Sequence, residues 1–293
     1  MQLALSVSEH RRICDEARVR GGSVGLVPTM GALHSGHLRL IQALGRQCSD
    51  LVVSIFVNPT QFGPNEDFQR YPRQFEQDLD LCRAAGAHAV FAPDVDQMYP
   101  PGEQTRVQVR GLTEALCGAS RPGHFEGVAT IVAKLFAATG PCTAIFGRKD
   151  YQQYKVIERM CRDLLLPVRL VAHPTVRESD GLALSSRNAY LGTDERKAAV
   201  AIPRGLAKAQ AAFVAGEHSV DALTTLVRDE VTKAGLRIDY VTVAHADELV
   251  PLAQSAAVDQ RALLALAVYS GTTRLIDNLV LGEDPAPSLG DRS

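Results

Sequence analysis

The chain has 293 residues, 46% of them apolar and 22% charged, a globular composition long enough for a sizeable core in one large or two ordinary domains. Its formal net charge of −2 argues against an extended nucleic-acid footprint, which shows as a basic excess or stripe, and leaves room for a local cationic pocket. No apolar run reaches membrane-spanning length, and the N-terminal MQLALSVSEHRR lacks the basic region of a secretory signal, so the expected location is the cytoplasm, with no membrane or nucleic-acid partner.

In chain order, SVGLV from Ser23 reads as a strand, and Leu38, Ile41, Leu44 and Cys48 then share a helical face. LVVSIFV from Leu51 is a second strand; Phe75, Leu79, Cys82 and Arg83 mark a helix stopping before Gly86. HAVFAP from His88 is a strand, and Val128, Ile131, Val132, Leu135 and Phe136 form a helical stripe. TAIFG from Thr143, a helix through Tyr154, Ile157, Met160, Cys161 and Leu164, and VRLVAHP from Val168 complete the alternation. Short apolar strands alternating with helices predict an α/β fold, a Rossmann-like, doubly wound parallel sheet. After PTVRESDG the pattern changes: a helix over 193–215, a second over 219–234, and strands IDYVTVAH, ALLALAVYSG and TRLIDNLV. The expected domains are therefore residues 1–175, a smaller C-terminal α/β domain over 176–283, and a tail over 284–293 without fixed structure. The six cysteines (Cys14, Cys48, Cys82, Cys117, Cys142 and Cys161) form no C-x-x-C pair and read as buried hydrophobes in a reducing compartment.

In a doubly wound sheet, ligands bind beyond the carboxyl ends of the strands, where helix N-termini attract anions. SVGLV runs into PTMGALHSGH, so His34 and His37 fall at a helix start, and Gly36 leaves the backbone bare for a phosphate. On this string alone, a capping or surface pair and a phosphate site are equally good readings. FGRKDYQQYK follows TAIFG: Lys149 suits a phosphate, while Asp150 is also a plausible helix cap. FVNPTQF brings Asn58 and Gln61, amides that pair with hydroxyl and carboxylate oxygens. In DGLALSSRN, Ser185, Ser186 and Arg187 are either a cap with a solvated arginine or one jaw of a triphosphate clamp, with Gly181 as its hinge.

On VPTMGALHSGH, VVSIFVNPTQF, RYPR, GASRPGHFEGV, FGRKDYQQ, DGLALSSRN and TRLIDN, the chain resembles the pantoate–β-alanine ligases from Leu26 to about Asn278. Together these strings are far more specific than H-x-G-H alone, which other nucleotidyltransferases and class I aminoacyl-tRNA synthetases share. The resemblance implies a fold of the H-x-G-H nucleotidyltransferase type with a C-terminal lid, usually a homodimer. It implies Mg²⁺- and ATP-dependent joining of pantoate and β-alanine through a pantoyl adenylate. ATP would lie along Met30, Gly31, Ala32, Leu33, His34, Ser35, Gly36 and His37, then Gly147, Arg148, Lys149 and Asp150, with Val176, Leu184, Ser185, Ser186 and Arg187. His37 is the implied catalytic acid, assisted by His34, Lys149, Ser185, Ser186 and Arg187. Pantoate falls to Gln61 and Gln153, with Asn58 beside them. Arg121 and His124 are either near the β-alanine carboxylate or simply structural. Asp78, in the family's acidic helix but next to Gln77, is the candidate Mg²⁺ ligand. Two positions depart from the pattern: Thr60 where methionine is common, and Arg148 where glutamate is common. A nucleotidyltransferase that leaves AMP on its product and a non-catalytic ATP sensor are the alternatives.

Overall fold

The computed structural model describes residues 1–64 and 66–290. The first half carries β1 (Gln2–Ala4), α1 (Val7–Val19), β2 (Val24–Thr29), α2 (Ser35–Gly45), β3 (Asp50–Ile55), α3 (Phe75–Ala84), β4 (Ala89–Phe91) and α4 (Val95–Met98). Next come α5 (Cys117–Ser120), α6 (His124–Thr139), β5 (Cys142–Gly147), α7 (Tyr151–Asp163) and β6 (Val168–His173). The last part has α8 (Thr193–Ala199), α9 (Ala201–Val214), α10 (Val220–Lys233), β7 (Arg237–Ala244), β8 (Ala262–Ser270) and β9 (Thr273–Leu281). Two compact units result: residues 1–110, 121–148 and 153–174 form the first, and 111–120, 149–152 and 175–293 the second. No helix among the described residues is long and apolar enough to cross a membrane.

The first unit is a six-stranded sheet in the order β1-β4-β3-β2-β5-β6, parallel at every pairing. From β2 the chain builds outward through β3 and β4, then returns to the other side of β2 with β5. The strand order therefore reverses between β2 and β5, the place where doubly wound sheets take ligands. Pairing between those two strands covers only Gly25 and Leu26. Beyond them comes Pro28, which has no N–H for a ladder, and the strands part toward their carboxyl ends. Val27, Val53 and Val90 bury one sheet face against Ile41 and Leu44 of α2 and Leu79 and Cys82 of α3. β1 and α1 are additions to the sequence reading. The buried face of α1 consists of His10, Ile13, Cys14 and Ala17, a stripe with one large aliphatic residue and hence a weak periodic signal.

The second unit holds the antiparallel sheet β7-β8-β9, whose core joins Leu264, Leu266 and Val268 to Ile202, Leu206, Leu223 and Val227 of α9 and α10. The single helix expected over 193–215 is two, meeting at Val200. The cause is Pro203, whose ring cannot follow the carbonyl of Ala199 in a continuous helix. Part of the expected unstructured tail is seated: the Asp284 carbonyl accepts from Gln210 Nε2 at 2.8 Å, and the Gly290 N–H donates to the Ser179 carbonyl at 2.9 Å. Gly181, at φ +90°, lies beneath it; a Cβ there would meet the Ser288 carbonyl oxygen at 2.9 Å. Residues 291–293 of that expectation fall outside the described residues.

Candidate functional site

The turn after β2 is built under strain. Gly31 and Ala32 both take left-handed backbone, φ 77° and 50°, unfavourable for an alanine. Asp78 holds it there. Its side chain is 1% exposed, and its two oxygens accept from the Ala32 N–H at 2.9 Å and the Leu33 N–H at 2.8 Å. The candidate Mg²⁺ ligand is thus corrected: Asp78 is a buried clamp on the turn, its carboxylate committed to backbone donors.

The turn delivers two imidazoles to the start of α2. His34 is the N-cap, with Nδ1 accepting from the Gly36 N–H at 3.2 Å, and His37 Nδ1 lies 3.4 Å from the His34 N–H. The rings are 4.1 Å apart. An Nδ1 that accepts a backbone N–H carries no proton, so each neutral ring holds its proton on Nε2. One nitrogen of each ring serves the cap. Several backbone N–H groups of this turn already have partners. Gly31 donates to Thr29 Oγ1 at 3.2 Å, Ala32 and Leu33 to Asp78, His34 to His37, and Gly36 to His34. The start of α2 adds the positive end of its dipole there.

After β3, Asn58 caps the short turn Pro59–Gln61. Asn58 is 1% exposed, and both ends of its amide are committed. Nδ2 donates to Gln61 Oε1 at 3.0 Å and to the Gly127 carbonyl at 3.1 Å, while Oδ1 accepts from Tyr99 Oη at 2.7 Å. Asn58 thus holds Gln61 by its amide. Gln61 Nε2 reaches Met30 Sδ at 3.1 Å. The Gln61 carbonyl is held too, accepting from His124 Nδ1 at 2.8 Å and Arg121 at 3.3 Å. Arg121 is filled by Glu66, with Nε donating to Oε1 at 2.7 Å, and by His124 Nε2 at 2.9 Å. Burial opposes ionisation of Glu66, but its hydrogen bonds and charge contact with Arg121 outweigh that and hold the carboxyl below its ordinary value. Arg121 and His124 anchor the turn bearing Gln61.

The remaining candidates lie near or beyond β5. Gly147 ends that strand, with nothing within 4 Å of where a Cβ would project, and Arg148 opens the turn to Asp150. In the second unit, Lys149 Nζ lies 3.6 Å from Asp150, and the Lys149 carbonyl accepts from Asn278 Nδ2 of β9 at 2.7 Å. Beside Asn278, the 2%-exposed Asp277 binds Arg177 at 2.6 Å, and Arg177 donates onward to the Gly181 carbonyl at 3.0 Å. The Leu184 N–H donates to the Val176 carbonyl at 2.9 Å. Ser185 Oγ accepts from the Arg187 N–H at 3.3 Å, capping the turn Ser186–Tyr190. Two successive residues of β9 thus hold both the lysine turn and the base of the serine–arginine loop. Of the paired glutamines, Gln152 is buried, accepting from the Cys117 N–H and donating to the Leu112 and Ala115 carbonyls. Gln153 is half-buried, in the first unit.

The model of the pantoate-beta-alanine ligase family matches residues 2–280. The chain belongs to that family. It is 54% identical to the pantothenate synthetase of Moorella thermoacetica over 96% of this chain and 99% of that one. To its counterpart in Geobacter sulfurreducens it is 52% identical, over 97% and 100%. A crystal structure of the pantoate-beta-alanine ligase from Thermus thermophilus aligns with TM-score 0.89 at 46% identity, covering 95% of this chain and 99% of that one. The Francisella tularensis ligase, crystallised with beta-gamma ATP and beta-alanine, aligns with TM-score 0.78 at 32% identity, over 98% and 99%. The chain is thus a ligase with the family's fold, a parallel nucleotidyltransferase-like sheet followed by a small C-terminal domain.

Among the polar groups described above, sequence reading passes over several supports. It gives no role to Tyr99, Glu66, Arg177, Asp277 or Asn278, although TRLIDN contains the last two. A polar Asp-Asn pair inside an apolar strand is the available signal, because buried polar groups require partners.

Proposed function

We propose that the chain joins pantoate to β-alanine in two steps at the expense of ATP. A pantoate carboxylate oxygen attacks the α-phosphorus, forming pantoyl adenylate and expelling pyrophosphate. The neutral β-alanine amine then attacks the acyl carbon, AMP leaves, and the amine loses a proton to give pantothenate. The observation that carries this reading is the pair of Nε2–H imidazoles at the start of α2, where the strand order reverses. Bringing an anion to a polyanion is the main obstacle. His34 and His37, with Lys149, Ser185, Ser186 and Arg187 from the second unit, stabilise the charge that builds on the phosphates. Gln61 and Gln153 orient pantoate without adding charge. No protein nucleophile is needed, and the six cysteines are buried, in keeping with a reducing cytoplasm. We also read residues 176–283 as a lid over the adenylate and the enzyme as a homodimer, which sedimentation velocity tests directly.

Among the described residues, no group of three His, Cys, Asp or Glu side chains could hold a metal ion. These residues form no cage for Mg²⁺; the ion that ATP brings would keep to the phosphates and water, and no residue is assigned to it.

The test is product formation. AMP release should require both pantoate and β-alanine. With ATP and pantoate alone, labelled pyrophosphate should exchange into ATP. AMP release without β-alanine incorporation would defeat the ligase reading. Ligation without pantoate-dependent exchange, at pyrophosphate levels able to bind, would defeat the separate adenylate step.

A further inference from the structure

Gln61 is held by an asymmetric chain of hydrogen bonds whose polarity can be worked out. The two ends of an amide are told apart only by their partners. One partner of Asn58 is the Gly127 carbonyl, 3.1 Å away, and a carbonyl only accepts. The end of Asn58 facing it must therefore be the NH2. That same NH2 faces Gln61 at 3.0 Å, so the facing atom of Gln61 must be its oxygen. The other end of Gln61, 3.1 Å from Met30 Sδ, is consequently the donor.

The opposite end of Asn58 agrees with this order, because the Thr60 N–H, which can only donate, lies 3.4 Å from its oxygen. Its oxygen accepts from Tyr99 Oη at 2.7 Å and Thr60 Oγ1 at 3.0 Å, and the two hydroxyls lie 3.0 Å apart. Tyr99 is itself placed by Lys134, whose Nζ sits 4.2 Å from the ring centroid while donating to the Met98 carbonyl at 2.6 Å. The Thr60 hydroxyl is thus a member of the chain of bonds.

We infer that Tyr99 and Thr60 are positioning residues which, through Asn58, fix Gln61 as a hydrogen-bond donor and so select an oxygen acceptor, carboxylate or hydroxyl, on the hydroxy-acid substrate. Thioether sulfur is a weak acceptor, so an incoming substrate oxygen displaces the Met30 contact at little cost and gains an amide already oriented. The inference rests on the reading that Gln61 contacts pantoate.

Three variants separate the two claims. Gln61→Ala tests the contact. Tyr99→Phe keeps the ring on Lys134 and removes the hydroxyl. Thr60→Val removes the other hydroxyl at nearly constant shape. Steady-state kinetics with each substrate varied in turn give three KM values and kcat. Tyr99→Phe and Thr60→Val should each raise the pantoate KM roughly three- to tenfold, the scale of one oriented hydrogen bond, with the ATP KM within about a factor of two. Asn58→Asp, which cannot donate to Gln61, should raise the pantoate KM further than either. A pantoate KM that moves in Gln61→Ala but not in Tyr99→Phe or Thr60→Val overturns the inference and leaves the Gln61 contact standing. A pantoate KM unchanged in Gln61→Ala overturns the contact itself. Equal shifts in all three KM values, tracking a fall in Tm, would make the network merely structural and also overturn the inference.

Discussion

At the scale of single residues, the clearest separation is between groups that face chemistry and groups that hold them. Under the proposed function, Lys149 is of the first kind. Its backbone is pinned by Asn278, so truncating the side chain should leave the turn in place. Lys149→Ala is expected to slow adenylate formation by roughly 10²–10³-fold, the usual loss for one electrostatic donor; single-turnover quench-flow would read this, and an unchanged rate would refute the role. Asp78 is of the second kind. Asp78→Ala strips the Ala32 and Leu33 N–H groups of their partner in a buried setting, and urea denaturation should show a loss of about 2–4 kcal/mol. Asp78→Asn, keeping one acceptor, should lose less; equal losses would mean that only one of the two bonds matters. The histidines are legible in the sequence because a helix cap is local. Asp78 as a clamp is not, since its partners lie 46 and 45 positions away and nothing in FEQDLDL marks which acid turns inward.

At the scale of elements, the five strands read from Ser23 to Pro174 are all present, because each carries a short, mostly apolar run; β2 and β3 are buried on both faces, whereas β6 at the sheet edge is only half-buried. Elements with muted patterns escape that reading: β1, only three residues long, and α1 with a histidine in its buried face. The break at Val200 is readable in principle from Pro203, but the alanine-rich flanks outweigh it. Packing of α6 on the Pro59–Gln61 turn is beyond pattern reading altogether, since it depends on Gly127. A Cβ at that position would overlap the Thr60 carbonyl and crowd Gln61 Cα. Gly127→Ala should push the turn off the helix and misplace Gln61; because small misplacements are costly in catalysis, kcat/KM for pantoate should fall roughly 10²-fold. Retained kcat/KM would show that the turn can shift without consequence.

At the scale of the whole molecule, the doubly wound plan with a smaller second domain follows from strand–helix alternation. The assignment of residues 111–120 and 149–152 to the second unit does not, because contacts between distant segments leave no local signature. Stability of the first unit should carry a distinctive pH dependence. His10 joins α1 to α6 through Thr139, 2.9 Å away, and stacks on Phe91 of β4 at 4.3 Å. Burial, helped by the charges of Arg18 and Arg11, pushes its pKa down from 6.5 to about 4. The unfolded chain then binds the proton first, so stability is complete above about pH 6.5 and is lost as pH falls toward 4, by up to about 3 kcal/mol. Subtracting the stability curve of His10→Gln from that of the wild type should isolate this slope; a flat difference would disprove it.

The seated tail has a practical consequence. Family matching ends at residue 280, yet the chain continues across Gly181 to bond Ser179, at the root of the loop that carries Ser185–Arg187. An affinity tag or fusion partner attached at the C-terminus would pull on that loop. The same tag at Met1, in the other unit, would not. Assays on preparations tagged at the two ends should therefore disagree in turnover, and the discrepancy should vanish once a C-terminal tag is cleaved.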